Sequence, residues 1–87
     1  MKLLIVEDDE HIARAYKRHL QSHDDVEFDW AKNGEEALAK VKQFHPEVIL
    51  LDILMPVMDG FEFLEKMRSE GDKTRAVVAV VMLQVEL

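Results

Sequence analysis

The sequence predicts an α/β fold, an open parallel sheet with helices on both faces, on three observations. Two apolar runs, Leu3-Leu4-Ile5-Val6 and Val48-Ile49-Leu50-Leu51, are uninterrupted and each ends in acid, the pattern of strands buried on both sides. Stretches with helical apolar spacing lie between the strand-like runs. The 87 residues, 48% apolar and 33% charged with three Gly and two Pro, suffice for one small core and leave no room for a second domain, so residues 1–87 are read as one unit.

The elements follow in order. After Leu3 to Val6, Asp9 is placed to cap a helix over about residues 10–23, where Ile12, Tyr16 and Leu20 recur at every fourth position. Val26, Phe28 and Trp30 alternate with Glu27, Asp29 and Ala31, the period of a half-buried strand near a sheet edge. Asn33-Gly34 reads as a turn, and Glu35 to Phe44 as a helix with Ala37, Leu38, Val41 and Phe44 on one face, stopped by His45-Pro46. Val48 to Leu51 runs into Asp52. Pro56 to Gly60 makes a loop before a helix bearing Phe61, Leu64 and Met67, which Gly71 ends. Ala76 to Leu83 reads as a further strand, with a buried helix segment as the alternative. The order is β-α-β-α-β-α-β with right-handed crossovers.

Charge and composition narrow the function classes. The net charge is -7 with no basic block, which disfavours direct nucleic-acid binding. With no cysteine, disulfides, thiolate metal sites and thiol nucleophiles are excluded. The apolar start is far too short for a signal peptide or a membrane span, so the expected setting is cytoplasmic with no membrane association. His19 and His23 stand four apart on the first helix, but no third ligand is evident and a solvated or capping role is expected. Trp30 with Phe28 and Val26 is expected to serve core or edge packing, and the methionines to fill core gaps.

The carboxylates are more informative. In an open parallel sheet the carboxyl ends of the strands share one edge, where ligands bind. Glu7 and Asp8 stand there after the first strand and Asp52 after the third, and if those two strands are sheet neighbours all three share one small pocket. Like charges so close repel unless a cation neutralises them, and oxygen ligands with few protein donors suit Mg²⁺, whereas calcium usually takes more protein oxygens. A carboxylate beside such a metal is also a nucleophile toward phosphorus, and Asp52 is the candidate. Acids after strands also cap helices, the reading that suits Asp9; for Glu7, Asp8 and Asp52 the residues alone leave both readings open.

Three stretches, Leu4-Ile5-Val6-Glu7-Asp8-Asp9, Ala31-Lys32-Asn33-Gly34-Glu35-Glu36-Ala37-Leu38 and Pro46 through Asp52-Ile53-Leu54-Met55-Pro56-Val57-Met58-Asp59-Gly60, resemble the receiver domain of bacterial two-component response regulators. The resemblance runs from Met1 to about Leu83. It implies a flavodoxin-like sheet, here of order 2-1-3-4. It implies that Asp52 accepts a phosphoryl group from a sensor histidine kinase and that Mg²⁺ is held by Asp8, Asp52 and the backbone carbonyl of Leu54, with Glu7 acting mainly through a water. Pro56 and Gly60 would shape the adjoining loop, Gly60 through a conformation costly for other residues. The module so implied is regulatory and not enzymatic.

Departures from the family qualify the reading. The family has a fifth strand and further helices past the point where this sequence stops, so a C-terminally truncated receiver is expected. Its fourth strand ends in Ser or Thr, but the corresponding position here is Gln84 or, by strict spacing from Asp52, Met82. The last lysine is Lys73, and no equivalent of the family's active-site Lys can be assigned. Impaired switching is therefore expected. Val77, Val78, Val80, Val81 and Leu83 would leave the fourth strand as an apolar edge, so self-association through that strand is expected. The alternatives are an inert interaction or oligomerisation fragment, a Mg²⁺-dependent phosphatase, which lacks the usual second Asp because Leu54 stands there, and flavin binding, which acid after the first strand opposes.

Overall fold

The structure, a computed structural model, describes residues 1–21, 25–52 and 58–79. Four strands, β1 (Lys2–Val6), β2 (Glu27–Ala31), β3 (Val48–Asp52) and β4 (Arg75–Ala79), form one parallel sheet of order β2-β1-β3-β4. Helices α1 (Glu10–Leu20), α2 (Gly34–Phe44) and α3 (Gly60–Ser69) connect them. The expected open parallel α/β sheet and its strand order are thus observed. No helix among the described residues is long and apolar enough to cross a membrane.

Strand alternation divides the core. Leu4, Val6, Ile49 and Leu51 face α2 and α3 and pack with Ala37, Val41, Phe63 and Met67. Leu3 and Ile5 point the other way, toward Ala13 of α1, with Tyr16, Phe28, Trp30 and Leu50 partly buried around them. The central strands β1 and β3 are apolar on both faces because both faces are covered.

Sequence-encoded caps set the helix ends. Asp9 accepts hydrogen bonds from the N–H groups of His11 and Ile12 at 2.8 and 3.4 Å, satisfying donors that the first turn of α1 leaves unpaired. Asp59 does the same for α3 through Glu62 N–H at 2.8 Å. α2 ends where His45 adopts a left-handed φ of 51°, and Pro46 follows.

Three local expectations are corrected. Asn33-Gly34 is the start of α2: Asn33 Oδ1 accepts from Glu36 N–H at 2.8 Å, and Gly34 is the first helical residue. In α3 the buried aromatic is Phe63, while Phe61 is 63% exposed. The helix begins at Gly60, so the inward stripe takes 60, 63, 64 and 67 and leaves Phe61 about 100° away from its first member. Gly60 itself opens that helix, and the positive glycine φ lies at Gly71, just past the helix end, at 85°. Leu54, Pro56, Met82, Gln84, His23 and the strand-like residues from Val80 to Leu83 lie outside the described residues.

Candidate functional site

Parallel pairing puts the acids together. Val6 of β1 is in register with Leu51 of β3, so the next residues, Glu7 and Asp52, leave the sheet side by side at the carboxyl edge. On the other flank Val6 pairs with Ala31, whose carbonyl accepts the Glu7 N–H at 3.0 Å, extending the β1–β2 ladder by one bond. One oxygen from each of Glu7, Asp8 and Asp52 falls within 4.8 Å of the others. The three differ in environment: Glu7 is only 1% exposed, Asp52 is half-buried and Asp8 is exposed.

Glu7 carries the electrostatic strain. Its Oε1 accepts the Asp9 N–H at 3.2 Å, while Oε2 is buried and receives no donor among the described residues. Burial above all, then a carboxyl–carboxyl hydrogen bond with Asp52, pushes the Glu7 carboxyl from 4.5 up to about 8; the charges of Asp52 and Asp8 add to the rise and the Asp9 N–H opposes it. With both acids ionised neither oxygen can donate, so that hydrogen bond needs a proton on Glu7. Tyr16 on α1 feels the same charge, its hydroxyl pKa being raised by burial first and then by Glu7 and Asp52.

A buried carboxylate oxygen without a donor, beside two further carboxylates, is a donor set for a small hard cation. Such an ion supplies the positive charge that the pocket otherwise obtains by holding a proton. The expected grouping of Glu7, Asp8 and Asp52 is therefore the grouping found. The fourth expected ligand, the Leu54 carbonyl, lies outside the described residues. Asp9 and Asp59 are helix caps.

Sequence reasoning missed the attachment of Trp30. Its ring packs at the β2 edge as expected, but its Nε1–H also donates to the Glu7 carbonyl at 2.7 Å. Only the β1–β2 register, which pairs Trp30 with Ile5, reveals that reach. A second missed contact is at Gly34, where an added Cβ would stand 2.6 Å from Met58 Cγ and 2.8 Å from the Met58 carbonyl oxygen.

With that geometry in place, comparison with known proteins is specific. The family model for the response regulator receiver domain matches residues 3–86. The chain is 41% identical over 78 residues to protein-glutamate methylesterase/protein-glutamine glutaminase 3 of Rhodospirillum rubrum, covering 90% of this chain and 21% of that protein. It is 34% identical over 85 residues to the regulatory protein AtoC of Escherichia coli, covering 98% of this chain and 18% of the relative. Among solved structures, the receiver domain of a Francisella response regulator superposes with a TM-score of 0.85 at 26% identity, over 97% of this chain and 69% of that one. The chain thus spans about a fifth of the length of these curated relatives.

Proposed function

Since the chain belongs to the response regulator receiver domain family, whose members typically bind Mg²⁺, are phosphorylated and interact with sensor histidine kinases, we propose that Asp52 is its phosphoacceptor and that Glu7, Asp8, Asp52 and the Leu54 carbonyl hold the metal, Glu7 mainly through a water. The observation that carries this reading is the convergence of three carboxylates on one point with Glu7 Oε2 buried and without a donor. When bound, Mg²⁺ offsets negative charge on the phosphoryl oxygens. Asp52 forms its oxygen–phosphorus bond as the phosphorus–nitrogen bond to a phosphohistidine breaks; the imidazole nitrogen keeps that electron pair and takes up a proton. Asp8, the exposed acid, stands on the solvent side, while Glu7 holds the inner wall.

Gln84 or Met82 stands where the family has a hydroxyl, so relay of phosphorylation away from Asp52 is weak in this reading. The module signals and does not turn over substrate, and the methylesterase activity in one relative's name belongs to that whole protein. Val77, 49% exposed on β4, supports the second reading, an interaction module in which two copies associate through that strand. Intact mass after incubation with a small acyl phosphate separates the two. The expected result is a gain of one phosphoryl group that requires Mg²⁺ and vanishes in Asp52→Asn. No gain by a folded sample, with a concentration-dependent dimer in light scattering, would replace the first reading by the second.

A further inference from the structure

The peptide plane between Glu7 and Asp8 joins two of the three acids, and its orientation decides where both side chains start. A peptide is planar, so holding its carbonyl oxygen also holds the N–H and Cα of the following residue. The Glu7 carbonyl accepts the indole N–H of Trp30 at 2.7 Å, across a separation of 23 residues. The Glu7 N–H is meanwhile bound to the Ala31 carbonyl at 3.0 Å. Glu7 is therefore pinned on both sides of its Cα by successive residues of β2, one through its side chain and one through its backbone.

Trp30 is itself held. It pairs in register with Ile5, and its ring is partly buried against the cluster of Leu3, Ile5 and Ala13. Its backbone N–H donates to Asp29 Oδ1 at 2.8 Å, and the same oxygen accepts Lys40 Nζ of α2 at 3.0 Å. One side of the residue borders a cleft of about 370 Å³ between α1 and β2, so an altered ring has room without displacing backbone.

We propose that Trp30 is a positioning residue for the metal site, its indole N–H fixing the Glu7–Asp8 peptide so that both carboxylates meet Asp52. This rests on the reading of Glu7, Asp8 and Asp52 as the Mg²⁺ site. Trp30 is the only tryptophan of the chain, so it can be exchanged alone for a benzothienyl analogue that places sulfur where the N–H was, or for 5-fluorotryptophan, which keeps the N–H.

The test is a calorimetric Mg²⁺ titration of the full 87-residue chain, well below its unfolding temperature. It compares wild type, Trp30→Phe, the benzothienyl protein and the 5-fluorotryptophan protein, with thermal unfolding in EDTA alongside. Loss of the N–H should weaken Mg²⁺ binding about three- to tenfold, the range spanned by one neutral hydrogen bond, in both proteins that lack it. The 5-fluorotryptophan protein should bind as wild type does. A lower unfolding midpoint with unchanged Mg²⁺ affinity would overturn the positioning role and leave Trp30 as packing only. A wild type that takes up no Mg²⁺ would overturn the metal-site reading and this inference with it, an outcome distinct from wild type and variants binding alike.

Discussion

Replacing Glu7 by glutamine keeps the side chain's shape and removes its charge. In the metal-free protein the Glu7 carboxyl, 1% exposed, is raised from 4.5 to about 8. A carboxyl whose folded pKa lies above its unfolded value favours the fold fully below the unfolded pKa, and that contribution is lost as pH rises toward the folded pKa. Each pH unit in that window costs about 1.4 kcal/mol. Between pH 4.5 and 7 the loss reaches roughly 3 kcal/mol, an upper limit because Asp8 leaves the pocket open to water on one side. Glutamine does not titrate. In EDTA, Glu7→Gln should therefore unfold close to wild type near pH 4.5 and be the more stable protein at pH 7, by up to about 12–24 °C at about 4–8 °C per kcal/mol for a domain of this size. Circular-dichroism melts across this range read the difference directly, and groups common to the two proteins cancel between them. Saturating Mg²⁺ should raise the wild-type midpoint and narrow the gap, since an ion that binds only the folded state stabilises by mass action. If the two metal-free proteins keep a constant offset from pH 4.5 to 8, Glu7 is not the strained group and the argument for a cation loses its main support.

Other perturbations test packing. Phe63→Ala, at a fully buried position, should cost about 3–5 kcal/mol in urea unfolding, whereas Phe61→Ala, exposed two residues earlier, should stay within about 0.5 kcal/mol of wild type. Equal costs would mean that α3 is rotated from the orientation described. Gly34→Ala would set a methyl 2.6 Å from Met58 Cγ and 2.8 Å from its carbonyl oxygen, so it should destabilise by about 1–3 kcal/mol although alanine is the better helix former. A stabilised Gly34→Ala would show that Met58 does not pack against that backbone.

The strands that carry the acids were readable because Leu3 to Val6 and Val48 to Leu51 are covered on both faces, which removes the alternation other strands need. Asp9 as a cap was readable too, since capping depends on neighbours two and three residues away. What local sequence could not supply was phase and register. Phe61 and Phe63 are two apolar aromatics in one helix, and the position of the first helical residue decides which turns inward. Asn33-Gly34 suits a turn or a cap equally well until Met58 closes over the glycine from another part of the chain. The carboxylates were legible as a group, but the depth of Glu7 was not, because it depends on both neighbouring strands. Trp30 gave no functional signal for the same reason: its bond to Glu7 exists only through the β1–β2 pairing.

The position of the acids also governs how the site comes apart. Glu7 directly follows β1 and Asp52 ends β3, the two inner strands, each laddered on both sides, whereas β2 and β4 are laddered on one side within the described sheet. Partial opening of a protein begins where the fewest bonds must break. Fraying at either outer strand removes one ladder and leaves the β1–β3 pairing that sets the two carboxylates side by side. The side-by-side placement of Glu7 and Asp52 is thus inherited from the last part of the sheet to melt, and backbone amides of β1 and β3 should exchange with solvent only through openings close to global unfolding.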